Sequence, residues 1–219
     1  YASLDIPLLP HIIILLTYLW DIALSWEHIN LFMDKSFKTF LKHTAKDFHN
    51  HSVNPPVVRA STIIFKSMND IRKTQAKYKK DPRGGYFDYG RQGTSTTHIL
   101  QKILTKLEES YHVFLTPTGF GAVFLAIFSI VRPGDEILTA DPVYNPTRML
   151  TKDYLSEFGI KTIFYNPHDL NSVKKNITKK TKLIFVENPG SNTFEFQDLS
   201  KIINIAKKNK IFTAIDNTW

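Results

Sequence analysis

Short apolar runs alternate with longer amphipathic stretches from residue 111 to the end of the chain. The runs carry β-branched and aromatic side chains on both faces, which is typical of buried parallel strands. They predict strands over residues 112–115, 136–140, 161–165, 182–186 and 210–215. The amphipathic stretches predict helices over residues 119–131, 145–158, 170–175 and 198–209. This alternation predicts an α/β fold with a doubly wound, mostly parallel sheet.

Apolar side chains also recur at helical spacing before the first predicted strand, at Leu100, Ile103, Leu104 and Leu107. Hydroxyl residues between positions 94 and 97 supply the N-cap that such a helix needs. Upstream, residues 66–93 are polar, basic and rich in turn residues. We therefore predict an arm that leads into the sheet domain.

The segment 6–26 is apolar, with a run of isoleucine and leucine at 12–16. Pro7, Pro10 and Asp21 shorten the uninterrupted run below the length that a bilayer span needs. A packed N-terminal helix is therefore favoured over a membrane anchor, and the lack of Lys or Arg before Lys35 argues against a secretory leader.

Composition narrows the class of protein. With 42% hydrophobic and 13% aromatic residues, the chain can bury a large core and is not intrinsically disordered. The absence of cysteine from its 219 residues excludes disulfides, thiolate zinc sites and cysteine nucleophiles within them. A reducing, cytoplasmic location fits this composition.

The chain carries 28 basic and 20 acidic residues, a formal charge of +8. Most of the excess is lysine, whereas nucleic-acid surfaces favour the bidentate fork of arginine. A compositional bias toward lysine explains the charge without a polyanionic partner, and we do not expect nucleic-acid binding.

Candidate chemistry lies where the predicted strands end, since ligands of open α/β sheets bind at the carboxyl ends of the strands. Residues 116–122 form a turn of small residues that leads into a helix. Such a turn either binds an anionic group such as phosphate or serves only the packing of the helix on the strand. Asp216 follows a predicted strand, where it either places a carboxylate at the edge of the sheet or is an ordinary turn residue. The segment 187–191 likewise either lies at the edge of the sheet as part of a site or is a plain turn. Tyr144 follows another predicted strand and is either part of the core or a surface on which a ligand stacks.

Two other kinds of site have no basis in the sequence. His49 and His51 lack the spacing and the third ligand of a zinc site, so no metal is expected. No Gly-x-Ser-x-Gly elbow is present, so serine-hydrolase chemistry has no nucleophile.

Taken together, these segments resemble the cysteine and methionine metabolism family of pyridoxal-phosphate enzymes. The resemblance covers about residues 47–219. It rests on the segments NPPV at 54–57, YGRQGT at 89–94, TPTG at 116–119, DPVYNPTR at 141–148, ENPGS at 187–191 and DNTW at 216–219. It implies the fold-type I, aspartate aminotransferase-like architecture, with a non-family segment at 1–46, an arm at 47–93 and a cofactor-binding large domain at 94–219.

The resemblance implies that pyridoxal 5′-phosphate is the cofactor and assigns four residues to its phosphate. Gly119 and Phe120 would donate backbone N–H groups at a helix N-terminus. Tyr89 and Arg91 would reach across a dimer interface to the phosphate of the neighbouring subunit, in a homodimer or homotetramer.

Two further residues are assigned to the cofactor ring. Tyr144 would stack on the pyridine ring. Asp216 would pair with the pyridine nitrogen and keep it protonated, so that the ring acts as an electron sink.

The implied activity is β-elimination of the amino acid cystathionine to homocysteine, pyruvate and ammonia. Cystathionine γ-synthase and methionine γ-lyase chemistry are alternatives within the family, and a non-catalytic remnant or interaction module is an alternative outside it. The Pro-Gly-Ser at 189–191 favours β-elimination.

Two departures from the family pattern bear on this expectation. The family's Schiff-base lysine, the only catalytic residue that the resemblance would assign, and its C-terminal domain would both follow Trp219, so the chain is expected to be truncated and inactive alone. Thr118 stands where the family often has serine or cysteine, and Phe120 where it has a small residue.

Overall fold

A computed structural model describes residues 11–14, 39 and 55–218. The chain divides into two compact units. The sheet unit comprises Tyr1–Trp20 and Thr116–Trp219, and the arm unit comprises Asp21–Leu115. The domain boundaries expected from the family resemblance stay a prediction.

The described residues form five strands and seven α-helices. The strands are β1 (His11–Ile14), β2 (Glu136–Ala140), β3 (Lys161–Tyr165), β4 (Thr181–Glu187) and β5 (Phe212–Asp216). The helices are α1 (Met68–Lys80), α2 (Ser95–Leu107), α3 (Gly119–Ile130), α4 (Asn145–Met149), α5 (Leu155–Glu157), α6 (Leu170–Asn176) and α7 (Leu199–Lys208). A 3₁₀ turn (Gly90–Gln92) lies in the arm unit, and a π-helical turn (Leu150–Tyr154) joins α4 to α5.

The strands form one sheet in the order β1-β5-β4-β2-β3, and all neighbouring pairs are parallel. The predicted bounds of β2 and β3 match the structure, and those of β4 and β5 shift by one or two residues. Every residue of β2 is buried, as expected for a central strand covered on both faces.

Apolar layers cover both faces of the sheet. On one face, Ile137 and Leu183 pack with Ile127 of α3 and Leu155 of α5. On the other face, the side chains that pack together are Leu138, Ile184, Val173, Ile202 and Ile205. Helices therefore lie on both sides, and the prediction of a doubly wound sheet is confirmed.

The helix predicted over 145–158 is interrupted by the π-helical turn at its centre. Thr162 donates its hydroxyl to the carbonyl of Thr151 at 2.7 Å, and Thr151 donates its own hydroxyl to the carbonyl of Thr147 at 2.9 Å. These side-chain bonds compete with the regular helical ladder, because one takes a carbonyl of α4 and the other a carbonyl of the π-helical turn.

The strand predicted over 112–115 is not present. Gln101 donates its side-chain amide to the carbonyl of Val113 at 2.9 Å, and Phe114 is 74% exposed. The segment has a strand-like composition but no neighbouring strand among the described residues, so no ladder forms.

The apolar segment near the N-terminus also differs from its prediction. Residues His11–Ile14 pair in parallel with β5 as a strand, not as part of a packed helix. In an apolar run this short, the spacing of apolar residues does not distinguish a helix from a buried strand. The rest of segment 6–26 lies outside the described residues. Within the described ranges, no helix is long and apolar enough to cross a membrane.

The arm unit contains a helix that the sequence pattern did not predict, α1. Ser67 accepts a hydrogen bond from the Asp70 amide and caps this helix. Its composition is mostly polar and basic and none of its side chains is buried, so it resembles a polar loop in sequence. Helix α2 is confirmed, with Thr94 and Thr97 in a reciprocal capping box.

Candidate functional site

The carboxyl ends of β2, β4 and β5 meet at one edge of the sheet unit, as parallel pairing requires. Two hydrogen bonds join the loops after β2 and β4. The backbone N–H of Tyr144 donates to Glu187 Oε2 at 2.6 Å, and that of Ser191 donates to the carbonyl of Pro142 at 2.9 Å. Polar groups from three strands are thus gathered at this edge.

The turn before α3 presents unpaired backbone donors. Thr118 is the N-cap, and its hydroxyl oxygen accepts from the Gly121 amide at 3.0 Å. The N–H groups of Gly119 and Phe120 have no acceptor in the described part of the chain. Such amides at the positive end of a helix suit an anion. Thr118 and Phe120 are the two positions that depart from the family pattern. Thr118 caps the helix and the Phe120 side chain is 42% exposed, so neither residue obstructs the turn.

Asp216 ends β5, and its side chain is buried. Thr218 donates its amide to Asp216 Oδ1 at 3.1 Å and its hydroxyl to the same oxygen at 2.6 Å. Burial raises the pKa of Asp216, and the two Thr218 bonds oppose this shift. Asp216 thus stabilises the local turn and also places a carboxylate at the edge of the sheet. Its Oδ2 atom accepts no hydrogen bond from residues 55–218.

Glu187 ends β4 and is the ladder neighbour of Asp216. Burial raises the pKa of Glu187 to about 7, the charge of Asp216 adds to the shift, and the bond from the Tyr144 amide opposes it. Neither carboxyl forms an ion pair within the described ranges. The sequence pattern predicted residues 187–191 as a segment at the sheet edge or a plain turn and assigned no role to the Glu187 carboxylate, although a carboxylate that closes an apolar strand was an available signal.

Tyr144 lies between β2 and α4 with its side chain 43% exposed. It is the residue before α4, and its side chain makes no capping hydrogen bond. Nearby, Arg148 pairs with Asp141 at 2.9 Å and lies over the ring of Phe164 at 4.0 Å. The Tyr144 side chain is therefore accessible enough to stack on a flat ligand.

Tyr89 and Arg91 lie together in the arm unit. The Arg91 guanidinium carbon is 5.0 Å from the centroid of the Tyr89 ring, and both residues are exposed. The Gly90 amide donates to the Ser61 carbonyl at 2.7 Å. A Cβ at Gly90 would lie 1.8 Å from the Ala60 carbonyl oxygen, so this turn requires glycine. The other four residues that the resemblance assigns, Gly119, Phe120, Tyr144 and Asp216, lie in the sheet unit.

In the part of the chain that the structure describes, no cluster of His, Asp and Glu side chains could hold a metal ion. His49 and His51 lie outside the described residues.

A doubly wound sheet unit that carries free amides at a helix start, a partly exposed tyrosine after one strand and a buried carboxylate at the end of another has the fold-type I architecture of pyridoxal-phosphate enzymes, as solved structures bear out. The sequence model of the Cys/Met metabolism PLP-dependent enzyme family matches residues 38–219. The chain belongs to this family, whose members depend on pyridoxal 5′-phosphate.

Three curated relatives illustrate the match. A Saccharomyces cerevisiae protein with a provisional cystathionine β-lyase name is 36% identical over 76% of this chain and 46% of its own. The cystathionine β-lyase of Haemophilus influenzae is 34% identical over 80% and 43%. An L-alanine/L-glutamate racemase of Wolbachia pipientis is 31% identical over 83% and 46%. The chain therefore spans about half the length of the curated relatives that it matches.

Among solved structures, the metY protein of Campylobacter jejuni matches with a TM-score of 0.71 and 27% identity, over 83% of this chain and 44% of its own. That structure holds N′-pyridoxyl-lysine-5′-monophosphate. The cofactor is thus present in a neighbour with the same fold.

Proposed function

We propose that the protein to which these residues belong catalyses β-elimination of cystathionine, releasing homocysteine, pyruvate and ammonia. The observation that carries the proposal is that the sheet unit presents both free amides at the start of α3 and the buried Asp216 carboxylate at the end of β5. Relatives named cystathionine β-lyase support the reaction, as does the Pro-Gly-Ser that follows Glu187 and Asn188.

The residues present fit the phosphate of the cofactor. The Gly119 and Phe120 amides would donate to phosphate oxygens, and Thr118 keeps the turn in place by capping α3. Tyr89 and Arg91 would hold the phosphate of a neighbouring subunit in a homo-oligomer, since a guanidinium binds phosphate oxygens in bidentate fashion. Under this proposal, residues 47–93 form the arm and residues 94–219 belong to the cofactor domain.

The residues present also fit the pyridine ring. Asp216 would accept a hydrogen bond from the protonated ring nitrogen at Oδ2, the oxygen that Thr218 leaves free. A cation there would favour the charged form of Asp216, which burial alone disfavours. Tyr144 would cover one face of the ring and exclude water from it. When bound, the cofactor supplies an electron sink for the carbanion formed at the substrate Cα.

Residues 1–219 alone are proposed to bind the cofactor without catalysing the reaction. None of their lysines lies in the sequence context that the family's covalently bound lysine occupies. This covalent lysine is required to hold the cofactor and to move the Cα proton.

The test is pyruvate release from L-cystathionine, assayed with the full-length protein and with the 219-residue chain. We expect pyruvate from the full-length protein and none from the chain alone. Release of 2-oxobutanoate from methionine would instead identify γ-elimination, and no turnover of any substrate by the full-length protein would identify a non-catalytic remnant. Pyruvate release by the 219-residue chain would contradict its proposed inactivity.

A second candidate is amino-acid racemisation, which the Wolbachia pipientis relative favours. Both reactions begin with removal of the Cα proton, so the residues described above serve either one. Loss of optical rotation of L-alanine without pyruvate release would identify the racemase.

A further inference from the structure

Two hydrogen bonds hold the loop that carries Tyr144, one to the last residue of β4 and one from the loop that follows β4. The Tyr144 amide donates to Glu187 Oε2 at 2.6 Å, and the Ser191 amide donates to the Pro142 carbonyl at 2.9 Å. The first contact is a charge-assisted bond when Glu187 is ionised, which is the stronger kind of hydrogen bond.

Glu187 is itself held in place. The side-chain amide of Gln197 donates to the Glu187 carbonyl at 2.9 Å, and the hydroxyl of Tyr165 donates to Gln197 Oε1 at 2.7 Å. Gln197 and Tyr165 are both buried, and the backbone of Glu187 pairs with Asp216 in the sheet. The backbone of Glu187, from which its carboxyl group extends, is therefore held by the sheet and by Gln197.

A buried carboxylate beside a second carboxylate is unfavourable unless it is hydrogen-bonded. Among the described residues, the Tyr144 amide is the donor recorded for the Glu187 side chain. Because the Tyr144 side chain is 43% exposed and makes no cap bond, its direction depends on how its backbone is held.

We propose that Glu187 is a positioning residue, which holds the backbone of Tyr144 so that the Tyr144 ring presents its face to the pyridine ring of the cofactor. This inference rests on the proposed function. Glu187 touches neither cofactor nor substrate in this role and acts through Tyr144.

Amide hydrogen exchange at Tyr144 tests the first link without any ligand. In Glu187→Ala, we expect the Tyr144 amide to exchange at least about tenfold faster, because its acceptor is gone. Glu187→Gln restores an acceptor oxygen and most of the protection. Glu157→Gln, an exposed change in α5, leaves it unchanged. Unchanged protection in Glu187→Ala, or equal losses in the Ala and Gln variants, would overturn the proposal.

Binding of 4′-deoxypyridoxine 5′-phosphate tests the second link. This probe keeps the phosphate and the ring nitrogen but lacks the aldehyde, so lysines cannot capture it. In equilibrium dialysis, Glu187→Ala should weaken binding about tenfold in the wild-type background. The same change should have no effect in a Tyr144→Ala background, because no ring remains to be positioned.

An equal loss in both backgrounds would overturn the positioning role. Failure of the wild-type chain to bind the probe would contradict the proposed function instead. The exchange experiment would then still decide whether Glu187 holds Tyr144.

Discussion

Glu187 and Asp216 lie side by side at the ends of two neighbouring strands, and both carboxyls are buried. In both, burial is the largest cause of a raised pKa. Asp216 has Thr218 as a local partner, whereas Glu187 has the Tyr144 amide. Under the proposals above, this difference separates a carboxyl that would face the cofactor from one that would hold a loop.

The raised pKa of Glu187 predicts a specific pH dependence of stability. Because the folded pKa is about 7 and the ordinary value is near 4.5, the folded state keeps a proton that the unfolded state loses between those pH values. Stability from this group is therefore fully present below pH 4.5 and is lost as pH rises toward 7. Glu187→Gln stays neutral, so the stability of the variant relative to wild type should rise from pH 5 to pH 8.

Urea unfolding at several pH values measures this difference. Glu157→Gln is the control, because its carboxyl is exposed, and its difference from wild type should stay flat. A flat difference for Glu187→Gln as well would contradict the raised pKa.

Thr118 gives a second prediction at this scale. Thr118→Ala removes the hydroxyl that caps α3 and should lower the free energy of unfolding by about 1 kcal/mol. Thr118→Ser keeps the hydroxyl and should lie close to wild type in denaturant titrations. Equal losses in the two variants would show that the methyl group, not the cap, matters.

At the scale of elements, the central strands were predictable because they are apolar on both faces and bounded by turn residues. Residues 112–115 have a similar composition but form no ladder, since a strand also needs a partner that composition does not reveal. Helix α1 was missed for the opposite reason: its composition is mostly polar and basic, and none of its side chains is buried. Asp216 was predicted as a candidate from its position at a strand end and Gly119 from a small-residue turn after a predicted strand that the structure lacks, whereas Glu187 needed the observed bond to Tyr144.

The buried centre of β4 predicts the cost of a cavity. Leu183 is fully buried between the two helical layers, so Leu183→Ala should lower the free energy of unfolding by about 2–5 kcal/mol. Leu125→Ala on α3 is the matched control, since Leu125 is 47% exposed, and should cost less than about 1 kcal/mol. Similar losses at the two positions in urea unfolding would contradict the described core.

At the scale of the whole molecule, the sheet unit carries Tyr144, Asp216 and the turn before α3 that is proposed to bind the cofactor phosphate, and the arm unit carries Tyr89 and Arg91. The family and its cofactor follow from the sequence match and the fold. Substrate, assembly and a cytoplasmic location stay predictions, because the chain spans about half the length of the curated relatives that it matches.

The central claim is that the sheet unit holds the cofactor through Asp216 and the start of α3. Equilibrium dialysis of the 219-residue chain with 4′-deoxypyridoxine 5′-phosphate tests it most directly. We expect saturable binding of about one molecule per chain, weakened about tenfold or more in Asp216→Asn and unchanged in the exposed control Asp153→Asn. Absence of saturable binding, or an Asp216→Asn variant that binds as tightly as wild type, would contradict the claim.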